Sequence, residues 1–202
     1  NKIPSESTIF IMDLAPDSGR KFIDPFRHHD SEVNVVDHHE WDESDYNHID
    51  WEANVYHNTD KCATQIMHDQ FVDDPDKSVT EFADLTADHD LWIKEDEKRS
   101  DALSDLAHKA SRDKYVKLAI EHGVDAINVE EGRKIINNAQ EIRKQKTEIA
   151  LNRATYYEIN GYDVAITYGQ CNGSDVGSKL YEGEVDLACI IYPNGNVSFR
   201  SS

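Results

Sequence analysis

The sequence predicts an α/β fold: a parallel sheet with helices on both faces, a connector helix, and a smaller α/β domain. Three observations predict it. Two short apolar runs near the N-terminus, TIFIMDL and VNVVD, each end in or beside an acid. A long charged stretch with helical periodicity covers 128–153. Beyond it, strand-like segments return, punctuated by Asn-Gly turns.

The first run, Thr8 to Leu14, is nearly continuous in hydrophobicity, as in a strand buried on both faces of a parallel sheet. Gly19 to Phe26 is expected to form a crossover helix. Val33 to Asp37 is the second strand, rich in β-branched residues. A connection of roughly eighteen residues between them fits a right-handed βαβ unit. Residues 40–59 read as a polar loop. Asp60 reads as the N-cap of a helix over Lys61 to Val72, and Pro75-Asp76 start another that runs toward Asp90. Helices over 99–110 and 112–122 follow, the latter stopped by Gly123. The stretch 128–153 carries Ile135, Ile136, Ala139, Ile142 and Ile149 at helical spacing. Then TYYEI, Asn160-Gly161 and YDVAITY form a hairpin. A helix at 174–182, DLACIIY, an Asn194-Gly195 turn and VSFRSS complete the chain. The domains this gives are 1–127, the connector helix 128–153 and 154–202.

Composition narrows the function. Net charge is −19, from 40 acidic and 21 basic residues. Such a chain lacks the basic footprint that long nucleic acid requires, whereas a small phosphate ester can be held through bound divalent cations. Three cysteines without CxxC spacing give neither a disulfide framework nor a zinc knuckle, and are expected as buried thiols in a reducing compartment. No stretch has the length and apolarity of a membrane span, and no signal segment opens the chain, so the cytoplasm is the default. The chain starts at Asn1 rather than Met, as a trimmed product or a fragment would.

The chemistry concentrates at the strand ends, where open α/β sheets bind their ligands. Asp13 closes the first strand and Asp37 the second, with His38 and His39 immediately after. Carboxylate and imidazole together suit Mn²⁺, Mg²⁺ or Fe²⁺. His28-His29-Asp30 has the same composition but lies at an expected helix terminus, where capping or surface roles are favoured.

VVDHH after a strand, preceded by IMDL, resembles the DHH phosphoesterase superfamily. LTADHDLW is similar to the D-x-W segment of its oligoribonuclease (nano-RNase-like) members. CNGSDVGSKL, DLACIIY and VSFRSS look like the DHH-associated substrate domain, so the resemblance covers nearly all of 7–202. It implies two divalent metal ions, Mn²⁺ or alternatively Mg²⁺, with Asp13 bridging them. It implies that His38 ligates one ion while Asp37 holds the His38 ring or ligates directly. His39 would contact the scissile phosphate, and Asp90 rather than Asp88 would be the last metal-binding acid. Trp92 would pack beneath the site or stack a base. In the second domain Asn172, Ser174 and Arg200 would hold the nucleotide or its distal phosphate. The resemblance further implies a D-x-D strand ahead of Asp13 and a Gly-rich G-G-G-H loop after Ser202, and neither lies within residues 1–202.

The activity so implied is hydrolysis of short oligonucleotides or dinucleotides to mononucleotides by metal-activated water, in a cleft between the domains. A cyclic-dinucleotide phosphodiesterase and a RecJ-like single-strand exonuclease are the enzymatic alternatives. A DHH protein that binds a nucleotide without turnover, and an acidic scaffold, are the others. The implied partners are a short oligonucleotide or dinucleotide and, as one option, a second subunit in a homodimer. Long duplex nucleic acid and membrane are not expected as partners.

Overall fold

The computed structural model describes residues 6–15, 26, 31–49, 53–183 and 185–201. The protein is mixed α/β and divides into two compact units, Asn1–Gly132 and Arg133–Ser202.

In the first unit, β1 (Thr8–Met12), β2 (Glu32–Asp37) and β3 (Asn54–His57) form a parallel sheet in that order. As the central strand, β2 carries the burial: Val33, Val35 and Val36 are at most 1% exposed. The expectation that β1 is buried on both faces does not hold. Phe10 and Met12, which share one face of β1, are exposed, whereas Ile11 on the other face is buried. The segment read as a loop over 40–59 contains helix α1 (Glu43–His48) and strand β3. Both are too short to show a periodicity. The helix is instead announced by its cap: Asp42 Oδ1 accepts the Asp45 N–H at 3.1 Å, and Asp45 Oδ2 accepts the Asp42 N–H at 2.9 Å. This is a reciprocal capping box built from two aspartates.

Among the described residues four more helices follow in this unit: α2 (Ala63–Phe71), α3 (Lys77–Asp90), α4 (Glu97–Lys109) and α5 (Arg112–His122). Asp60 is not the N-cap of α2; Cys62 holds that position without a side-chain cap. Asp76 does cap α3, accepting the Val79 N–H at 3.0 Å. Gly123 ends α5 with φ 54°, a conformation that a β-carbon makes costly, and a 3₁₀ turn Gly123–Ile127 follows. Of the cysteines only Cys62 is fully buried; Cys171 and Cys189 are half-buried, and all three are free thiols. The crossover helix expected at Gly19–Phe26 and the His28-His29-Asp30 triplet lie outside the described residues, except for Phe26.

Helix α6 (Glu130–Asn152) enters the second unit. Within that unit its buried positions are Ile136, Ala139, Thr147 and Ala150, at helical spacing, while Ile142 and Ile149 are exposed. The hairpin is present, with β4 (Thr155–Ile159) antiparallel to β5 (Tyr162–Tyr168). Asn160 and Gly161 both have positive φ, as a type I′ turn requires. A crossover through α7 (Gly173–Tyr181) then places β6 (Leu187–Ile191) parallel to β5, and β7 (Val197–Ser201) returns antiparallel. Among the described residues no helix is long and apolar enough to cross a membrane.

Candidate metal centre

The site forms where β1 and β2 end side by side. At the end of β1, Asp13 adopts φ 55° and gives its N–H to Val36 O at 2.9 Å. A non-glycine residue in the left-handed region is uncommon, and aspartate is among those that tolerate it. At the end of β2, Asp37 is fully buried and His38 and His39 follow it.

His38 Nε2 lies 3.1 Å from Asp13 Oδ1 and 3.3 Å from Asp90 Oδ2. Asp90 is the last residue of α3, where the negative end of the helix disfavours a carboxylate. Two partly exposed acids around one imidazole nitrogen therefore concentrate negative charge that a cation would relieve. Asp13, His38 and His39 each offer a ligand atom, all within 4.8 Å of one another. A metal bound at about 2.1 Å to donors 90° apart places those donors about 3.0 Å apart. The two His38 contacts match that spacing, and a carboxylate–imidazole set suits a divalent ion.

Asp37 is committed elsewhere. Its Oδ1 is 2.8 Å from His39 Nδ1, and its Oδ2 accepts the Trp41 Nε1–H at 2.5 Å. The buried carboxylate thus holds the ring of His39 rather than that of His38. Burial pushes the Asp37 carboxyl up, but the hydrogen bonds from His39 and Trp41, with the charge on His39, outweigh it and hold the group below its usual value. The hydrogen bond to Asp37 raises the His39 pKa against the opposing effect of partial burial. Cys62 lies close enough to feel the same charges. Burial raises its thiol pKa, and Asp90 and Asp13 add to the shift, which keeps it protonated.

Three residues in the segment read as a loop complete the surround. The His57 ring stacks on Trp41, with centroids 4.3 Å apart and planes 14° apart. His57 Nε2 donates to His39 O at 2.7 Å, which leaves Nδ1 to accept the Tyr46 hydroxyl at 3.0 Å. Trp41, Tyr46 and His57 therefore fix both the backbone and the ring of His39. Only their residue types are visible in the sequence, because β3 brings His57 to His39 across a sequence separation of eighteen.

Asp88 faces away from this cluster. It accepts the backbone N–H of Glu95 at 2.6 Å and of Asp96 at 3.3 Å, at the start of α4. With the Ser100 hydroxyl, these bonds hold its pKa below the ordinary value. Trp92 is not in the core: it is 61% exposed, with Lys94 Nζ 3.9 Å above its ring.

In the second unit, Asn172 is the N-cap of α7, its Oδ1 accepting the N–H of Ser174 at 2.9 Å and of Asp175 at 3.4 Å. Ser174 lies in the first turn. Arg200 lies on β7, its Nη1 donating to Phe199 O at 2.9 Å, and its stem crosses Gly177 in the second turn of α7.

No protein-family model matches the chain, and no curated protein matches it. Among solved structures, it is similar to an uncharacterized protein from Helicobacter pylori G27, with 16% identity and TM-score 0.43. That match covers 100% of this chain and 71% of the other. It is also similar to a Methanococcus jannaschii protein described as a "putative family II inorganic pyrophosphatase", with 13% identity and TM-score 0.32. There the match covers 95% of this chain and 65% of the other.

Proposed function

We propose that the protein is a metal-dependent phosphodiesterase acting on short oligonucleotides or dinucleotides. The observation that carries the reading is the meeting of Asp13 and Asp90 at His38 Nε2, at the C-terminal ends of parallel strands. Asp13, His38 and Asp90 would hold a divalent ion, Mn²⁺ or Mg²⁺, which when bound supplies a Lewis acid and an activated water at neutral pH. Asp13 would be the carboxylate shared with a second such ion, as the resemblance implies. His39, whose pKa the hydrogen bond to Asp37 raises, would in its protonated form donate from Nε2 to a non-bridging phosphate oxygen and offset the charge that develops there. Trp92, two residues beyond Asp90 and exposed, offers a face for a base to stack on. Taken by itself, the second unit offers donors of the kind that hold a phosphate group, at the N-terminus of α7 with Asn172 and Ser174 and at the guanidinium of Arg200.

The size of the substrate follows from charge. At −19 the protein repels a long polyanion, whereas a di- or trinucleotide carries few phosphates beyond those the metal and His39 offset. The test is to incubate the protein with short RNAs and with a cyclic dinucleotide in the presence of Mn²⁺ and to identify the products. Mononucleotides released from short RNA, lost with chelator and in His38→Ala, support the reading. Nucleotide binding without any metal-dependent product would instead make the protein a binder.

A further inference from the structure

Among the described residues, elements of the second unit cover its sheet on one face only. Helix α7 and the end of α6 pack on the face that carries Ala165, Ala188 and Ile190, each with no solvent exposure. On the other face six large side chains remain 44–62% exposed: Tyr157, Ile159, Tyr162, Tyr168, Val197 and Phe199. Strand register places thirteen side chains there, three or four from each strand, and none of them is charged. In a chain that is 30% charged, a solvated sheet face would read as polar. An apolar face of this extent marks an association surface.

We propose that this open face is where two copies of the chain associate, sheet against sheet. The argument for a second copy rests on charge and area. A partner drawn to a protein of net charge −19 would be basic, yet this face offers no acid for a basic group to pair with. The same face of another copy is complementary to it: a two-fold contact matches aromatic and aliphatic groups to one another, and no ionised group has to be desolvated. Taking about 200 Å² as the full area of such a residue, the exposed fractions of the six amount to on the order of 600 Å² per copy. A two-fold contact would then bury about 1,200 Å² in total, at the lower end of the range for stable interfaces. Like charges elsewhere on the two copies repel each other, and salt screens that repulsion. Association is therefore expected to tighten as ionic strength rises.

Sedimentation equilibrium of the full chain tests this, with Phe199→Asp and Val197→Lys as variants. Each substitution places a charge twice in a two-fold contact. The wild type should sediment as a dimer of the 23.1 kDa chain at about 50 μM. Either variant should raise the dissociation constant at least about 100-fold while keeping the wild-type circular dichroism spectrum. Hydrogen exchange supplies a readout independent of the variants: amides of β4 to β7 should become more protected as concentration rises. A wild type that is monomeric at that concentration, its face left open or covered by some other partner, overturns the proposal. So does a dimer that persists in both folded variants.

Discussion

His39 Nδ1 lies 2.8 Å from Oδ1 of Asp37, a carboxylate with no solvent exposure. A buried acid thereby acts on a half-exposed imidazole at the mouth of the site, and the pair sets the protonation of His39. Asp37 is depressed from its ordinary 3.8, so its contribution to stability is present above that value and lost as pH falls through the depressed one. His39 is raised from its ordinary 6.5, so its contribution is full below 6.5 and lost as pH rises through the raised value. The pair is at full strength between those two ordinary values. In chelator-treated protein, NMR titration should place the His39 midpoint above 6.5. Asp37→Asn should bring it down; an unchanged midpoint would refute the coupling.

Trp41→Phe keeps an aromatic ring against His57 but removes the donor to Asp37 Oδ2. Leaving a buried carboxylate oxygen without its partner should cost about 1–3 kcal/mol of stability. Denaturant unfolding of the variant measures this. No loss would mean that water substitutes for the indole N–H.

Asp88→Ala removes the acceptor for the N–H groups of Glu95 and Asp96 but touches neither His38 nor Asp13. The melting temperature should fall while divalent-metal affinity stays at the wild-type level. Asp90→Ala should do the reverse. An exchange of those two outcomes would reassign the metal-binding acid.

Gly123→Ala should destabilise by more than about 1 kcal/mol, since the residue has φ 54° and an added β-carbon would fall 2.2 Å from Ser78 Oγ. Urea unfolding checks it. A neutral result would show that α5 can end in another conformation.

Much of this architecture is visible in the sequence because the informative elements are long or punctuated. Helix α3 has its Asp76 cap, α5 its Gly123 stop, and the β4–β5 hairpin its Asn160-Gly161 turn. Strand β2 is legible from Val33, Val35 and Val36. The exposure of Phe10 and Met12 on β1 is not legible, because a run of apolar residues does not reveal which face of its strand stays uncovered. Helix α1 and strand β3 span too few residues for a periodicity to emerge. At the site, the strand ends identify Asp13, His38 and His39 as neighbours. Asp88 and Asp90 are two residues apart and so point to opposite sides of α3; only the roll of the helix decides which one meets His38. The partners of Asp37 were beyond reach for a similar reason. The residue type shows a carboxylate beside two imidazoles, but which ring it holds depends on the turn taken after β2.

The central claim is that Asp13, His38 and Asp90 hold a divalent ion. Titration of the chelator-treated protein with Mn²⁺, read by electron paramagnetic resonance, tests it most directly. The wild type should remove free Mn²⁺ from solution at stoichiometric amounts, and His38→Ala should weaken that binding by at least about tenfold while remaining folded. Binding of equal strength in both proteins, or none in the wild type, would contradict it.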